Sequence, residues 1–243
     1  MDRRPATYTW EKLLAHAALL QAKVPSAILV GGTAAALHAG HRISFDHDHV
    51  MADLRAHYDE ATAALESIVG WRTRRRIRGK LLLGEIERID AGLRNLRRSA
   101  PLETTTIQTG NGREVRVPTI EEMLRIKAFL CVERGATRDY LDVAALSDHL
   151  GRSRSVAAIE KMADLYAEFA GEMGDILVSV VVKLASPDPY DLSDVDLTEY
   201  KGIIAPWNDW RAVAGACRAL ASALLTTPGR RTADRKRGDV REP

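Results

Sequence analysis

The chain has 243 residues, 46% of them hydrophobic and 28% charged, with a formal net charge of +2. That length can bury a real core in one large domain or two small ones, and the composition is ordinary for a soluble globular protein. No apolar run approaches a membrane span, no signal-type stretch follows Met1-Asp2-Arg3-Arg4, and the two cysteines (Cys131 and Cys217) give no disulfide framework, so a reduced cytoplasmic protein with no membrane partner is expected.

Trp10, Leu13, Leu14, Ala17 and Leu20 recur at helical spacing and predict an amphipathic helix over Tyr8 to Ala22, ended by Val24-Pro25. A strand from Ala27 to Val30, the turn Gly31-Gly32-Thr33, a short helix over Ala34 to Leu37 and a second strand over Phe45 to Met51 follow. Asp53 to Val69 reads as a helix with Leu54, Tyr58, Ala61 and Leu65 on one stripe. Strand patterns then take over, with Leu81 to Ile89 and Thr104 to Thr109 as candidates and Asn111-Gly112 as a hairpin turn into Glu114 to Val117. After Pro118 the sequence Thr119-Ile120-Glu121-Glu122 reads as a capping box, and helical patterns run to about Leu225 with loops near Gly151 and over Ser186 to Trp210. The expected organisation is an α/β core over residues 1–117, a helical C-terminal domain over 118–227 and a disordered basic tail over 228–243.

The chemistry concentrates around Asp46-His47-Asp48. Residues two apart on a strand share a face, so the two carboxylates point together, a geometry suited to holding Mg²⁺ against phosphate oxygens. Upstream, the paired glycines let backbone N–H groups approach phosphates at a helix N-terminus. Ser44, two residues before Asp46, falls on the same face if the strand reaches back that far. Lys127 shares a helix stripe with Met123 and Leu130, so it is expected to face inward, where a lone ammonium is costly unless paired or bound to phosphate; snorkelling to the surface is the alternative.

Gly31-Gly32-Thr33, Gly40-His41-Arg42, Ser44, Asp46 and Asp48, followed by Lys127, Arg134, Arg138-Asp139-Tyr140-Leu141-Asp142, resemble the motifs of the AbiEii/AbiGii-type nucleotidyltransferase toxins, MenT-like members of the DNA polymerase β-like nucleotidyltransferase superfamily. The likeness covers roughly residues 27 to 146. It implies an α+β fold, a polymerase β-like mixed sheet with flanking helices followed by an all-helical C-terminal part. Two departures stand out: His47 occupies a position that is usually apolar, and Gly32-Thr33 stands where Ser commonly follows the first glycine. The resemblance implies Mg²⁺-dependent transfer of a nucleoside monophosphate from an NTP, with a tRNA 3′ end as acceptor and a cognate antitoxin as partner. Asp46, Asp48, Lys127 and Asp142 would be catalytic. Gly31, Gly32, Thr33, Arg42, Ser44, Arg138 and Asp139 would hold the nucleotide. A third metal carboxylate would be Asp90, with Glu87 the alternative.

Ten Lys/Arg against three acids between Trp71 and Arg98 suit either a polyanionic partner or a solvated hairpin surface. The histidines His38, His41, His47, His49 and His57 raise a rival, a zinc-dependent hydrolase, although His47 and His49 should face away from Asp46 and Asp48. A transferase acting on a small molecule or protein, and a non-catalytic nucleic-acid-binding protein of the same fold, are the further alternatives.

Overall fold

The computed structural model describes residues 9–110 and 112–226. The expected tail and Asn111 lie outside the described residues. Helix α1 (Trp10–Lys23), whose first turn is capped by the Thr9 hydroxyl accepting from the Lys12 N–H, leads into β1 (Ile28–Val30). Helix α2 (Gly31–Ala39) starts on the paired glycines themselves and is followed by β2 (Asp46–Met51) and α3 (Tyr58–Glu66). Strands β3 (Trp71–Ile77), β4 (Leu81–Ile86), β5 (Ile89–Asn95), β6 (Thr104–Gln108) and β7 (Glu114–Pro118) complete the strand region.

The five-stranded sheet has the order β1-β2-β5-β4-β3, and β6 pairs with β7 in a separate ribbon. Only β2 and β5 run parallel; the other neighbours are antiparallel. The expected single strand over Leu81 to Ile89 is instead a hairpin that turns at Glu87-Arg88, both with positive φ (47° and 70°). Such a turn normally shows itself by Asn or Gly. The helix expected from Asp53 begins only at Tyr58, because backbone bonds from Ala56 and His57 to the Asp53 carbonyl close a turn first. Leu54, Tyr58, Ala61 and Leu65 are nevertheless all buried.

The helical half comprises α4 (Ile120–Glu133), α5 (Thr137–Leu150), α6 (Arg152–Glu160), the short α7 (Met162–Leu165) and α8 (Ala170–Met173), α9 (Ile176–Ala185) and α10 (Trp210–Thr226). Thr119 caps α4 by accepting from the Glu122 N–H at 3.2 Å. The Glu122 carboxylate does not complete a capping box; it is drawn to Arg98 and Arg125 instead, each at 2.8 Å. The largest apolar cluster runs from Ala17 and Ala34 through Val117 to Leu224, so the helices pack onto α1, α2 and β7. A second cluster joins α1 and α3 to the inner face of the sheet through Leu20, Leu65, Leu82 and Leu93.

On that inner face β2 contributes two imidazoles, both fully buried, with rings edge-on 5.4 Å apart. Neither ring nitrogen of His47 has a hydrogen-bond partner among the described residues. Burial pushes the His49 pKa down to about 3 and holds His47 well below the usual imidazole range. Both are therefore neutral in the fold, whereas in the unfolded chain they take up protons below about pH 6.5. The contribution of each is expected to be complete above that pH and to be lost as pH falls below it, by about 1.4 kcal/mol per pH unit, for His49 down to about 3. His47→Phe should flatten the loss between pH 6.5 and 5 in urea unfolding; a slope unchanged from the parent would remove His47 as its cause.

Candidate active site

Strand alternation sends Asp46 and Asp48 to the outer face of β2, half-buried, while His47 and His49 go inward. The strand is fixed on both sides, Val30 lying opposite Asp48 on β1 and Gly92 opposite Asp48 on β5. A side chain at position 92 would collide with the Asp48 carboxylate, so the glycine keeps room for that group. The Ser44 hydroxyl donates to Asp46 Oδ1 at 2.8 Å. Burial raises the Asp48 pKa and the neighbouring Asp46 charge adds to it, against the pull of Arg94, Arg138 and Lys127. Two crowded carboxylates with one already reluctant to ionise form a donor set that a divalent cation relieves.

Helix α2 has no side-chain cap, so its first N–H groups open beside Asp48, with Gly31 against the Asp48 side chain. Gly32 has a different task. A Cβ there would come within 2.5 Å of the Arg42 guanidinium, so only glycine lets Arg42 lie against the helix start. That guanidinium grips Asp142 on α5 through Nε at 2.9 Å and a second nitrogen at 3.1 Å. Lys127 Nζ reaches Asp142 at 2.7 Å and Asp139 at 3.5 Å, and His41 Nε2 lies 2.8 Å from the same Asp142 carboxylate. Asp139 is also held by Arg134 at 2.7 Å. Asp139 and Asp142 are fully buried, and Arg42 and Lys127 bring Asp142 well below the usual carboxylate range despite its burial. This ionic hub ties the loop before β2 to α4 and α5.

The carboxylate pair opens into a cleft of about 450 Å³. Arg94 on β5, 3.7 Å from Asp48, and the exposed Arg138 on α5 flank the acids. Ile126, Phe129, Leu130, Tyr166 and Phe169 form an apolar wall farther along, with Arg97 and Arg98 beside it.

The structure brings Gly31, Asp46, Asp48 and Arg138 together on this cleft. It gives other sequence-selected residues different work. The Thr33 hydroxyl, expected on the triphosphate, is spent on the Asp46 carbonyl and the residue is 1% exposed. Asp139 and Asp142, expected to meet nucleotide or substrate directly, are sealed inside the hub. Lys127 faces inward as its stripe predicts, but its ammonium is engaged by both acids. Asp90 sits opposite Asp46 in the register, yet its carboxylate is taken by Arg74 at 2.6 Å. Among the described residues no three His, Cys, Asp or Glu side chains converge to hold a metal ion, so the expected trio Asp46, Asp48 and Asp90 is not assembled. Glu87, the alternative third ligand, lies in the hairpin turn, paired with Lys12 at 2.6 Å beside α1. The histidines disperse: His38 bonds the Pro118 carbonyl, His41 joins the hub and His57 bonds Glu60. The sequence reading missed Arg94 and the aromatic wall. The β2–β5 register would have revealed Arg94; the wall arises from α4 and the region after α6, which carry no local signal.

This arrangement, a mixed sheet with a carboxylate pair beside a glycine-initiated helix and a helical C-terminal part, has a nucleotidyltransferase-like fold. Among solved structures, the chain is similar to JHP933 from Helicobacter pylori, with a TM-score of 0.51, 18% identity and 93% of this chain and 95% of that one covered. The antibiotic-resistance factor ANT(2″)-Ia gives a TM-score of 0.50 at 15% identity over 66% of this chain and 95% of its own. In sequence, 129 residues are 32% identical to the heme uptake protein MmpL11 of Mycobacterium tuberculosis, covering 53% of this chain. The mycolic acid-containing lipids exporter MmpL11 of Mycolicibacterium smegmatis is 27% identical over 164 residues, 68% of this chain. The chain spans only 13% and 16% of the length of these two relatives. No protein-family model matches. No helix among the described residues is long and apolar enough to cross a membrane.

Proposed function

We propose that the protein transfers a nucleoside monophosphate from an NTP to an acceptor hydroxyl, releasing pyrophosphate. The observation that carries this reading is the Asp46–Asp48 pair on the cleft, facing the uncapped start of α2 with Arg94 and Arg138 alongside. Asp46 and Asp48 would hold Mg²⁺, which supplies charge neutralisation to the triphosphate and to the attacking oxygen. The α2 N–H groups at Gly31 and Gly32 receive phosphate oxygens, and Arg94 and Arg138 offset the charge that builds during in-line displacement. Ser44 orients Asp46 through its hydroxyl. Asp142, with Arg42 and Lys127, acts at one remove by fixing the loop that delivers Ser44 and Asp46. Asp90 becomes available as a third carboxylate if Arg74 lets it go.

The motif resemblance supports a narrower reading: a toxin of the AbiEii/AbiGii type, MenT-like, acting on a tRNA 3′ end and restrained by a cognate antitoxin. Incubation with labelled NTPs, Mg²⁺ and total tRNA tests both levels. Label on tRNA is expected. Label on a small molecule or protein would keep the transferase and replace the acceptor. No label on any acceptor, with folded protein, would leave a non-catalytic nucleic-acid-binding protein of the same fold.

A further inference from the structure

The far end of the cleft has a different chemistry from the carboxylate end. Phe129 stacks on Tyr166 with centroids 4.9 Å apart and meets Phe169 at 5.0 Å. The Arg97 guanidinium lies over two of these rings, 5.9 Å from the Phe129 centroid and 5.7 Å from that of Phe169. Arg98 covers Tyr166 at 5.0 Å. Neither arginine is a spare cation. Arg97 pairs with Glu133 on α4, and Arg98 with the buried Glu122. The wall is thus planar, π-rich and balanced in charge, whereas the opposite end holds the Asp46–Asp48 pair with the exposed Arg138 beside it.

Phosphate favours uncompensated cations, and a neutral heteroaromatic ring favours a flat surface of aromatic and guanidinium planes. Resting on the nucleotidyl-transfer reading, we infer that this wall is the nucleobase subsite and that Arg97 is its stacking plane. Phe129 and Phe169 support Arg97 from below, and Glu133 fixes its orientation. Arg97 is half exposed and lines the cleft, so a base can lie on it without opening the core. A base stacked there places the attached phosphates along the cleft toward Asp46 and Asp48.

The test compares three probes on the parent protein and Arg97→Ala by calorimetry in Mg²⁺, without acceptor: an NTP, inorganic tripolyphosphate and a single-stranded trinucleotide. Arg97→Ala should weaken NTP binding about five- to tenfold, in line with loss of one stacking plane, and leave tripolyphosphate unchanged. A loss confined to the trinucleotide would keep the base subsite and give it to the acceptor's end. Equal loss for tripolyphosphate would make Arg97 a phosphate ligand, and no loss for any probe would leave the wall unused; either overturns the inference. A parent protein that binds neither NTP nor tripolyphosphate would instead sink the transfer reading beneath it. Arg97→Lys gives the control for charge: it keeps the cation but not the plane, so it should bind NTP like Arg97→Ala.

Discussion

Asp48→Ala is expected to lower nucleotide transfer on the order of 10³-fold, as for loss of a strong electrostatic stabiliser, while the folded protein becomes slightly more stable. The two effects come from one arrangement. Burial and the neighbouring Asp46 raise the Asp48 pKa, so its ionised form is strained in the absence of a cation. For an acid whose folded pKa lies above its unfolded value, the penalty is fully present at neutral pH and is relieved as pH falls through the raised value. Alanine removes the penalty at pH 7 together with the ligand. Thermal unfolding in a chelator should therefore show a small rise in Tm, and Mg²⁺ should stabilise the parent more than the variant. Transfer activity retained by a folded Asp48→Ala protein would remove Asp48 from the site.

The second large effect is of the opposite kind. Asp142→Ala is expected to cost about 3–5 kcal/mol of stability, the usual consequence of leaving buried cations without their carboxylate. Arg42 loses both of its bonds to that group, and Lys127 keeps only the longer contact to Asp139 at 3.5 Å. Asp142→Asn should recover part of the loss by keeping the shape and one acceptor. Because the Asp142 pKa is depressed in the fold, its contribution is complete above the ordinary carboxylate value near 4 and disappears as pH falls below it. Denaturant titration at pH 7 measures the difference, and a loss within about 0.5 kcal/mol, as at an ordinary surface site, would show that the hub does not bear on folding. The pair of variants thus separates a residue that meets substrate from one that holds the framework.

Much of this was legible in the chain because local rules decided it. The D-x-D spacing put Asp46 and Asp48 on one face, and the stripe of Met123 and Lys127 turned the ammonium inward. What stayed hidden depended on long-range partners. Nothing near Asp142 says that Arg42, about a hundred residues earlier, will claim its carboxylate, so ligand and scaffold roles look alike in sequence. The Glu87-Arg88 turn was invisible because it uses residues that seldom take positive φ, and that turn decides both where β5 starts and which carboxylate faces Asp46.

The arginines of β3 carry a consequence for association. β3 ends the five-stranded sheet, so among the described residues one row of its backbone N–H and C=O groups has no strand beside it. Arg74 is the extra residue at a register shift between Thr73 and Arg75, and the flanking Arg76 and Arg78 are paired with Glu66 and Asp59 on the neighbouring α3. A bulge that bends the border strand, and long cations projecting from it, prevent another sheet from adding on. Much of the positive charge in this stretch is thus matched within the molecule and guards against edge-to-edge assembly.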